Sequence, residues 1–277
     1  MDLKNIEQYF ELIRPFGRDM LFIARDMLMC QLKDGLRSSS PDNLILDGYS
    51  VYSQNEEDGI LNSIFGNLGI SSVTFFEFGV HATENNTLHL LQKKGRGIWF
   101  DKSLTDFREK LGPKKNLLII DEFVTLSNIE ALCRRGLEFL GMNGPELDLL
   151  SLDLDGNDYY LIERILQTGI MPKLFCLEYN AKFPLPLSVR IGYKEDHRWT
   201  GDDYQGCSLQ AYIDLLKDKY TLLVCNLSGS NCFFIRNDLR HKFVIYDPAI
   251  LYMPCRYYLS PFNKGHSSST KYLELID

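Results

Sequence analysis

The pattern of hydrophobic and polar positions along this chain changes character twice. Up to about residue 36 the apolar side chains recur at helical spacing (Ile6, Phe10 and Ile13, then Met20, Ile23 and Met27), which predicts one or two helices ahead of the main fold. The segment Ser38-Ser39-Ser40-Pro41-Asp42-Asn43 then reads as a linker, so a helical extension over 1–40 and one larger domain over 41–277 are expected. From residue 50 onward, short runs rich in Phe, Val, Ile and Leu take over, at Val73 to Val80, Gly97 to Asp101, Leu117 to Asp121, Leu147 to Asp153 and Leu174 to Glu178. Helical patterns separate several of them: Ile60 to Leu68, Leu88 to Lys93, Ile129 to Leu140 and Tyr159 to Thr168. Strands that are apolar nearly throughout and alternate with helices predict a parallel sheet covered on both faces. The end differs. A helix over Ser208 to Asp218 precedes the runs Tyr220 to Asn226 and Asn231 to Arg236, and the four-residue turn between those runs makes them an antiparallel hairpin.

Composition narrows the function more than the fold. With 277 residues and 45 % hydrophobic content the chain can bury one substantial α/β core. A charged fraction of 24 % and a formal net charge of −7 leave no basic stripe, which argues against a nucleic-acid partner. The first residues mix acids and bases with no basic segment ahead of an apolar run, so no secretory signal is read. Apolar stretches such as Leu21 to Ala24 and Leu222 to Cys225 are too short for a transmembrane segment, and a cytoplasmic protein is expected. The seven cysteines include no C-x-x-C pair, and Cys176, Cys225 and Cys232 sit inside apolar runs, which predicts reduced thiols rather than zinc ligands or disulfides.

Ligands of open α/β sheets bind at the carboxyl ends of the strands, and here nearly every run ends in an acid. The first is Phe75-Phe76-Glu77-Phe78-Gly79, followed by His81, Thr83 and Glu84-Asn85-Asn86-Thr87. Gly79 stands where the backbone must turn tightly beneath a ligand, while His81 and Thr83 occupy the places where a pyrophosphate needs glycines. A dinucleotide is therefore disfavoured. An ordinary turn capped by Asn85 or Asn86 explains the same residues. Asp101 closes the second run some two dozen positions beyond Glu77, where this kind of sheet places a carboxylate for ribose hydroxyls; alone it reads as a solvated acid. Asp121 closes the third, either to meet an adenine amino group or as a solvated pair with Glu122.

The fourth run, Asp153-Leu154-Asp155-Gly156-Asn157-Asp158, clusters carboxylates that must be solvated, protonated or matched by a cation. Asp153 and Asp155 are expected on one side of an extended chain, with Asn157 or Asp158 capping the next helix. The spacing does not fit an EF-hand. Glu178 and Asn180 end the adjacent fifth run, so Asp153, Glu178 and Asn180 form a candidate all-oxygen site for Mg²⁺, Mn²⁺ or Ca²⁺, or else hydrogen-bond an acceptor directly. Residues 181–207 are long enough for a lid. They carry His197, the side chain suited to take a hydroxyl proton near neutral pH, with Trp199 and Tyr204 placed to stack on a sugar; an exposed loop with an aromatic anchor is the plainer account. Asp153, Asp155 and His197 are the candidate catalytic residues. Upstream, Ser53 and Glu56 match a capping box, which leaves Gln54, Glu57 and Asp58 unexplained.

The ordered set Tyr52-Ser53-Gln54 with Glu57-Asp58-Gly59-Ile60, Phe76-Glu77-Phe78-Gly79, Glu84 to Thr87, Asp153 to Asp158, Glu178-Tyr179-Asn180 and the final hairpin resembles the FkbM-like methyltransferases over roughly residues 50–237. The resemblance implies a Rossmann-like methyltransferase sheet, mostly parallel with a C-terminal antiparallel hairpin. It also implies S-adenosylmethionine as methyl donor and a hydroxyl of a sugar or natural product as acceptor. Glu77, Gly79 and Asp101 would hold the cofactor, joined by Asn86, Thr87 and Asp121. Asp153, Glu178 and Asn180 match positions where catechol-type and macrolide-sugar methyltransferases place metal ligands. No lysine follows Asp153, which is why His197 enters as the base. Two other readings stay open: a degenerate module that binds a partner or glycan without turnover, and a nicotinamide-dependent sugar oxidoreductase. Tyr246 to Tyr258 reads as a tail over the core or as the interface of a homo-oligomer.

Overall fold

A computed structural model of the chain describes residues 3–260, apart from Ala82, Gly112, Pro113, Asn143 and Pro145. Its apolar runs become the strands β1 (Thr74–Phe78), β2 (Arg96–Phe100), β3 (Leu117–Ile120), β4 (Leu149–Leu152) and β5 (Leu174–Glu178), and the closing hairpin supplies β6 (Tyr220–Cys225) and β7 (Asn231–Arg236). The sheet order is β3-β2-β1-β4-β5-β7-β6. Every pairing among the first five strands is parallel, and β7 runs antiparallel to both β5 and β6. This is the α/β, Rossmann-like sheet expected, mostly parallel with a C-terminal antiparallel hairpin.

Helices α1 (Leu3–Ser39), α2 (Glu57–Leu68), α3 (Leu88–Gln92), α4 (Thr105–Leu111), α5 (Ile129–Leu140), α6 (Asp158–Gln167), α7 (Leu209–Leu216) and the short α8 (Pro248–Leu251) complete the fold. The central strands are buried on both faces, which is why they read as continuous apolar runs: Phe75, Phe76, Phe78, Trp99 and Phe100 are all fully buried. On α5 the buried positions Ile129, Leu132, Cys133, Gly136 and Leu140 form one helical stripe, and Gly136 lies where a Cβ would stand 2.6 Å from the ring of Phe76. Among the described residues no helix is long and apolar enough to cross a membrane.

Two local expectations need correction. The segment 38–43 is not a linker, because α1 continues to Ser39 and Ser40 and Asn43 are buried. Asn43 Oδ1 accepts from the Ile45 N–H and starts a 3-10 turn over Leu44–Asp47. The later part of α1 is held to the body through Leu28, Met29, Leu32 and Leu36 and through Lys33, which bonds the Gly48 carbonyl at 2.8 Å and Glu56 at 2.7 Å. Phe16, Met20, Leu21, Ile23 and Met27 stay exposed along the same helix.

The capping box is not made either. Glu56 adopts a left-handed conformation (φ 71°) and turns its carboxylate to Lys33. Ser53 instead pairs with Asp58: its Oγ accepts from the Asp58 N–H and donates to Asp58 Oδ2, both at 3.0 Å. The same Oδ2 collects the N–H groups of Val51, Tyr52 and Ser53 at 2.7–2.8 Å. A carboxylate that gathers three successive backbone donors outcompetes a single side-chain cap, and it fixes the chain entering α2.

Two glycines give a stability test with opposite signs. A Cβ at Gly97 would fall 2.2 Å from Phe75 Cδ2 and 2.5 Å from the Phe75 carbonyl oxygen, whereas Gly66 on the exposed side of α2 has nothing within 4 Å. Gly97→Ala should lower unfolding stability by about 1–3 kcal/mol through overpacking, and Gly66→Ala should raise it by about 0.5–1 kcal/mol through helix propensity. Urea titration of both variants against the parent protein measures the two shifts.

Candidate functional site

The turn after β1 is built around Gly79. It takes φ 81°, and a Cβ there would lie 1.5 Å from the Asp153 carbonyl oxygen, so only glycine lets the end of β1 pass against the end of β4. Beneath this turn Glu77 is 2 % exposed and accepts from the Asn86 N–H at 2.8 Å and from the Thr87 hydroxyl. Thr87 Oγ1 in turn accepts from Trp99 Nε1 at 2.8 Å, and Asn86 Nδ2 donates to Ser151 Oγ at 3.1 Å. Glu77 thus ties the loop 81–87 to β1, β2 and β4. Burial pushes its carboxyl up to about 7, against the lowering effect of the Thr87 hydroxyl and the Asn86 N–H. Asn85 Oδ1 accepts from the N–H groups of Thr87 and Leu88 and starts α3.

The opposite wall comes from the Asp153–Asp158 turn. Because β4 ends at Leu152, Asp153 and Asp155 do not alternate along an extended chain. Asp155 takes φ 54°, a conformation uncommon outside glycine, and the turn curls back so that both acids reach one spot. Asp158 clamps the curl, accepting from the Leu154 N–H at 2.9 Å and the Gly156 N–H at 2.8 Å. Glu178 arrives from the end of β5. One oxygen each from Asp153, Asp155 and Glu178 lies within 4.8 Å of the others, an arrangement able to hold a metal ion. Asp153 and Glu178 are raised well above the ordinary carboxylate range, first by burial and then by the neighbouring acids; Asp155 is raised by burial and Asp158.

Glu77, Gly79, Asn86, Asp101, Asp153, Asp155, Glu178, Asn180 and His197 line a single cleft of about 1440 Å³ at the carboxyl edge of the sheet. Thr87 is fully buried beneath it, and at the end of β3 it is Glu122, Phe123 and Val124 that line the cleft rather than Asp121. Asp101 accepts from the N–H and hydroxyl of Ser103, both on Oδ1 at 2.7 Å. Asn180 spends its amide on the long connection: Nδ2 donates to the carbonyls of Asp203 at 2.9 Å and Gln205 at 3.2 Å. Asn157 bonds the Lys194 carbonyl at 2.8 Å and Tyr160 the Ile191 carbonyl at 2.9 Å, so the connection 181–207 is laced across the cleft. His197 packs on Gly156, where a Cβ would lie 2.5 Å from its ring, and its buried Nε2 has no hydrogen-bond partner among the described residues.

Glu57, Asn231, Tyr257 and Gln205 also line the cleft and were not candidates from sequence. Glu57 is fully buried, accepting from Asn226 Nδ2 at 2.7 Å, Asn231 Nδ2 at 2.8 Å and the Asn55 N–H at 2.8 Å. The signal for it was Glu57 remaining unexplained by any cap. Asn231 lies opposite Glu178 in the β5–β7 register, which a hairpin read by itself does not reveal.

No protein-family profile matches the chain, and no curated protein sequence matches it. Among solved structures it is similar to the MycE methyltransferase of mycinamycin biosynthesis in complex with Mg, SAH and mycinamycin VI, at 13 % identity over 60 % of this chain and 41 % of that one, TM-score 0.32. A crystal form of MycE with Mg and SAH aligns at 12 % identity over 64 % and 44 %, TM-score 0.34. The O-methyltransferase family 2 protein from Planctomyces limnophilus, in complex with apigenin, aligns at 14 % identity over 83 % and 68 %, TM-score 0.34. This chain matches less than half the length of MycE.

The raised Glu77 carboxyl has a consequence for stability. The folded protein keeps this proton at pH values where the unfolded chain, near the ordinary 4.5, has lost it, so the contribution is present below about 4.5 and is lost as pH rises toward 7. Stability in chelator should therefore fall across that window by roughly 3 kcal/mol more in the parent than in Glu77→Gln. Denaturant midpoints from pH 4.5 to 8 test this; parallel profiles for the two proteins would remove Glu77 as the titrating group.

Proposed function

We propose that this protein is an S-adenosylmethionine-dependent O-methyltransferase acting on a hydroxyl of a sugar, glycan or sugar-containing metabolite, with a divalent cation at the acid cluster. The observation that carries this reading is a single cleft in which Gly79 and Asp101 stand on the β1–β2 side and Asp153, Asp155 and Glu178 on the β4–β5 side. The ordered motifs that resemble the FkbM-like methyltransferases support it, since they are the segments that build these walls.

The residues fit both groups. Both bonds to Asp101 fall on Oδ1, which leaves Oδ2 for a ribose hydroxyl. The three acids offer hard oxygen donors whose mutual repulsion a cation removes. When bound, the sulfonium donor supplies an activated methyl group, and the ion supplies positive charge that favours the ionised acceptor hydroxyl. The chain itself does three things. Gly79 and Asp101 orient the donor, with Glu77 holding the loop beneath it. Asp153, Asp155 and Glu178 fix the acceptor side, so that alignment supplies much of the acceleration. His197 takes the acceptor's proton at Nε2, under a lid whose Trp199 and Tyr204 cover a sugar face.

Purified protein incubated with S-adenosylmethionine and a panel of sugars, glycans and nucleotide sugars should give a product 14 Da heavier by mass spectrometry, and chelator should abolish it until Mg²⁺, Mn²⁺ or Ca²⁺ is restored. Asp101→Ala should weaken S-adenosylhomocysteine binding by at least about tenfold, the loss of one charge-assisted hydrogen bond, with the fold intact. Calorimetry that finds unchanged affinity in this variant takes Asp101 out of the donor site.

A further inference from the structure

Gln205 has no part in the chemistry above, yet it is among the most enclosed groups of the cleft, at 8 % exposure. Its amide end stands 3.2 Å from Glu178 Oε1 and 3.3 Å from Asp155 Oδ1. The two ends of an amide have opposite chemistry. Turned with Nε2 toward the acids, it donates to both carboxylates and so satisfies them without a cation. Turned the other way, Oε1 joins two carboxylate oxygens at hydrogen-bond distance with no proton between them. Around a cation, three converging oxygens become ligands; without one they repel. A half-turn of one terminal torsion, which is broad and roughly two-fold, interconverts the two states with almost no movement of heavy atoms.

We propose that Gln205 is a further oxygen ligand of the cation held by Asp153, Asp155 and Glu178, and that its amide exchanges a donor role in the metal-free cleft for a ligand role in the metal-bound one. This rests on the cation reading given above. It links the ion to the lid, because Gln205 belongs to the connection that crosses the cleft. Its carbonyl accepts from Asn180, and next to it Tyr204 accepts from the Gly192 N–H at 3.1 Å and is fixed by Asp202. Asp202 also holds Trp199, whose indole N–H donates to the Asp202 carbonyl at 2.6 Å. The aromatic residues placed for the acceptor thus hang from the same short segment as the ligand. Loading the ion should therefore order the acceptor side of the cleft before any acceptor arrives.

Mn²⁺ binding to the intact protein, followed by calorimetry, and hydrogen exchange over 199–206, measured with and without Mn²⁺, test the proposal together. The parent protein should bind Mn²⁺ and slow exchange in that segment. Gln205→Leu, which keeps the bulk and removes both polar ends, should bind Mn²⁺ at least roughly tenfold more weakly and lose the Mn²⁺-dependent protection. Gln205→Glu, an oxygen ligand that cannot donate when ionised, should retain Mn²⁺ binding but exchange faster than the parent in chelator; it also decides the matter if the leucine variant does not fold. Equal Mn²⁺ affinity and equal protection in Gln205→Leu would overturn the role of Gln205 and leave the cation reading standing. If the parent binds no Mn²⁺ while Glu178→Gln behaves identically to it, both fall.

Discussion

Carboxylates brought to one point at the ends of neighbouring strands cannot all be ionised unless something positive stands among them, and the cleft of this protein is organised around that constraint. The sheet order sets β4 beside β5, which delivers Asp153 and Glu178 side by side. The left-handed turn at Asp155 adds a third acid that strand geometry alone would have sent elsewhere. Burial and the neighbouring acids raise the proton affinity of both Asp153 and Glu178. Local strain at Asp155 and burial of charge both cost stability, and both are concentrated where chemistry is proposed.

The buried acids around this point are held in a particular way. Glu57 is bonded by two asparagine amides and a backbone N–H, Glu77 by a threonine hydroxyl and a backbone N–H, and Asp158 by two backbone N–H groups. None of these partners carries a charge. Some lysines pair with acids away from these groups, as Lys33 does with Glu56 and Lys173 with Asp148, while Lys102, Lys182 and Arg198 line the cleft. Neutral donors fix a carboxylate's position without cancelling its field. The acids at the ends of β4 and β5 are thus held on a rigid frame, a setting that favours a cation among them.

Much of the fold was legible in the sequence because burial on both faces writes a strand as an unbroken apolar run. The boundaries of β5 and β7 follow directly from those runs, and those of α5 from its helical spacing. The N-terminal segment was less legible: serine and proline near residue 40 suggested a linker, but Ser38 and Ser39 bond back to carbonyls one turn earlier and the helix runs on through Ser39. The capping box failed because a local motif competes with tertiary demands that spacing does not record, here the pull of Asp58 on three backbone N–H groups. At the site, residues that close strands were recoverable. Asp155 reaches the cluster by a turn, Asn180 turns out to secure the connection 181–207, and Gln205 comes from a stretch with no periodicity, so their geometry could not be read from position along the chain.

The placement of β7 between β5 and β6 also bears on how the molecule acquires its cleft. β5 is flanked on one side by β4, nearby in sequence, and on the other by a strand that begins only at Asn231, which faces Glu178 across the ladder. Strands β1 to β5 can pair as the chain lengthens, but the outer edge of β5 stays open until the last hairpin arrives, and such long-range pairing is slow. During synthesis the half-finished sheet would therefore present an unpaired edge beside its most acidic corner, and charge repulsion at that edge guards against pairing with another chain. The same carboxylates that crowd the cleft of the finished protein would, in the growing one, act as gatekeepers against aggregation.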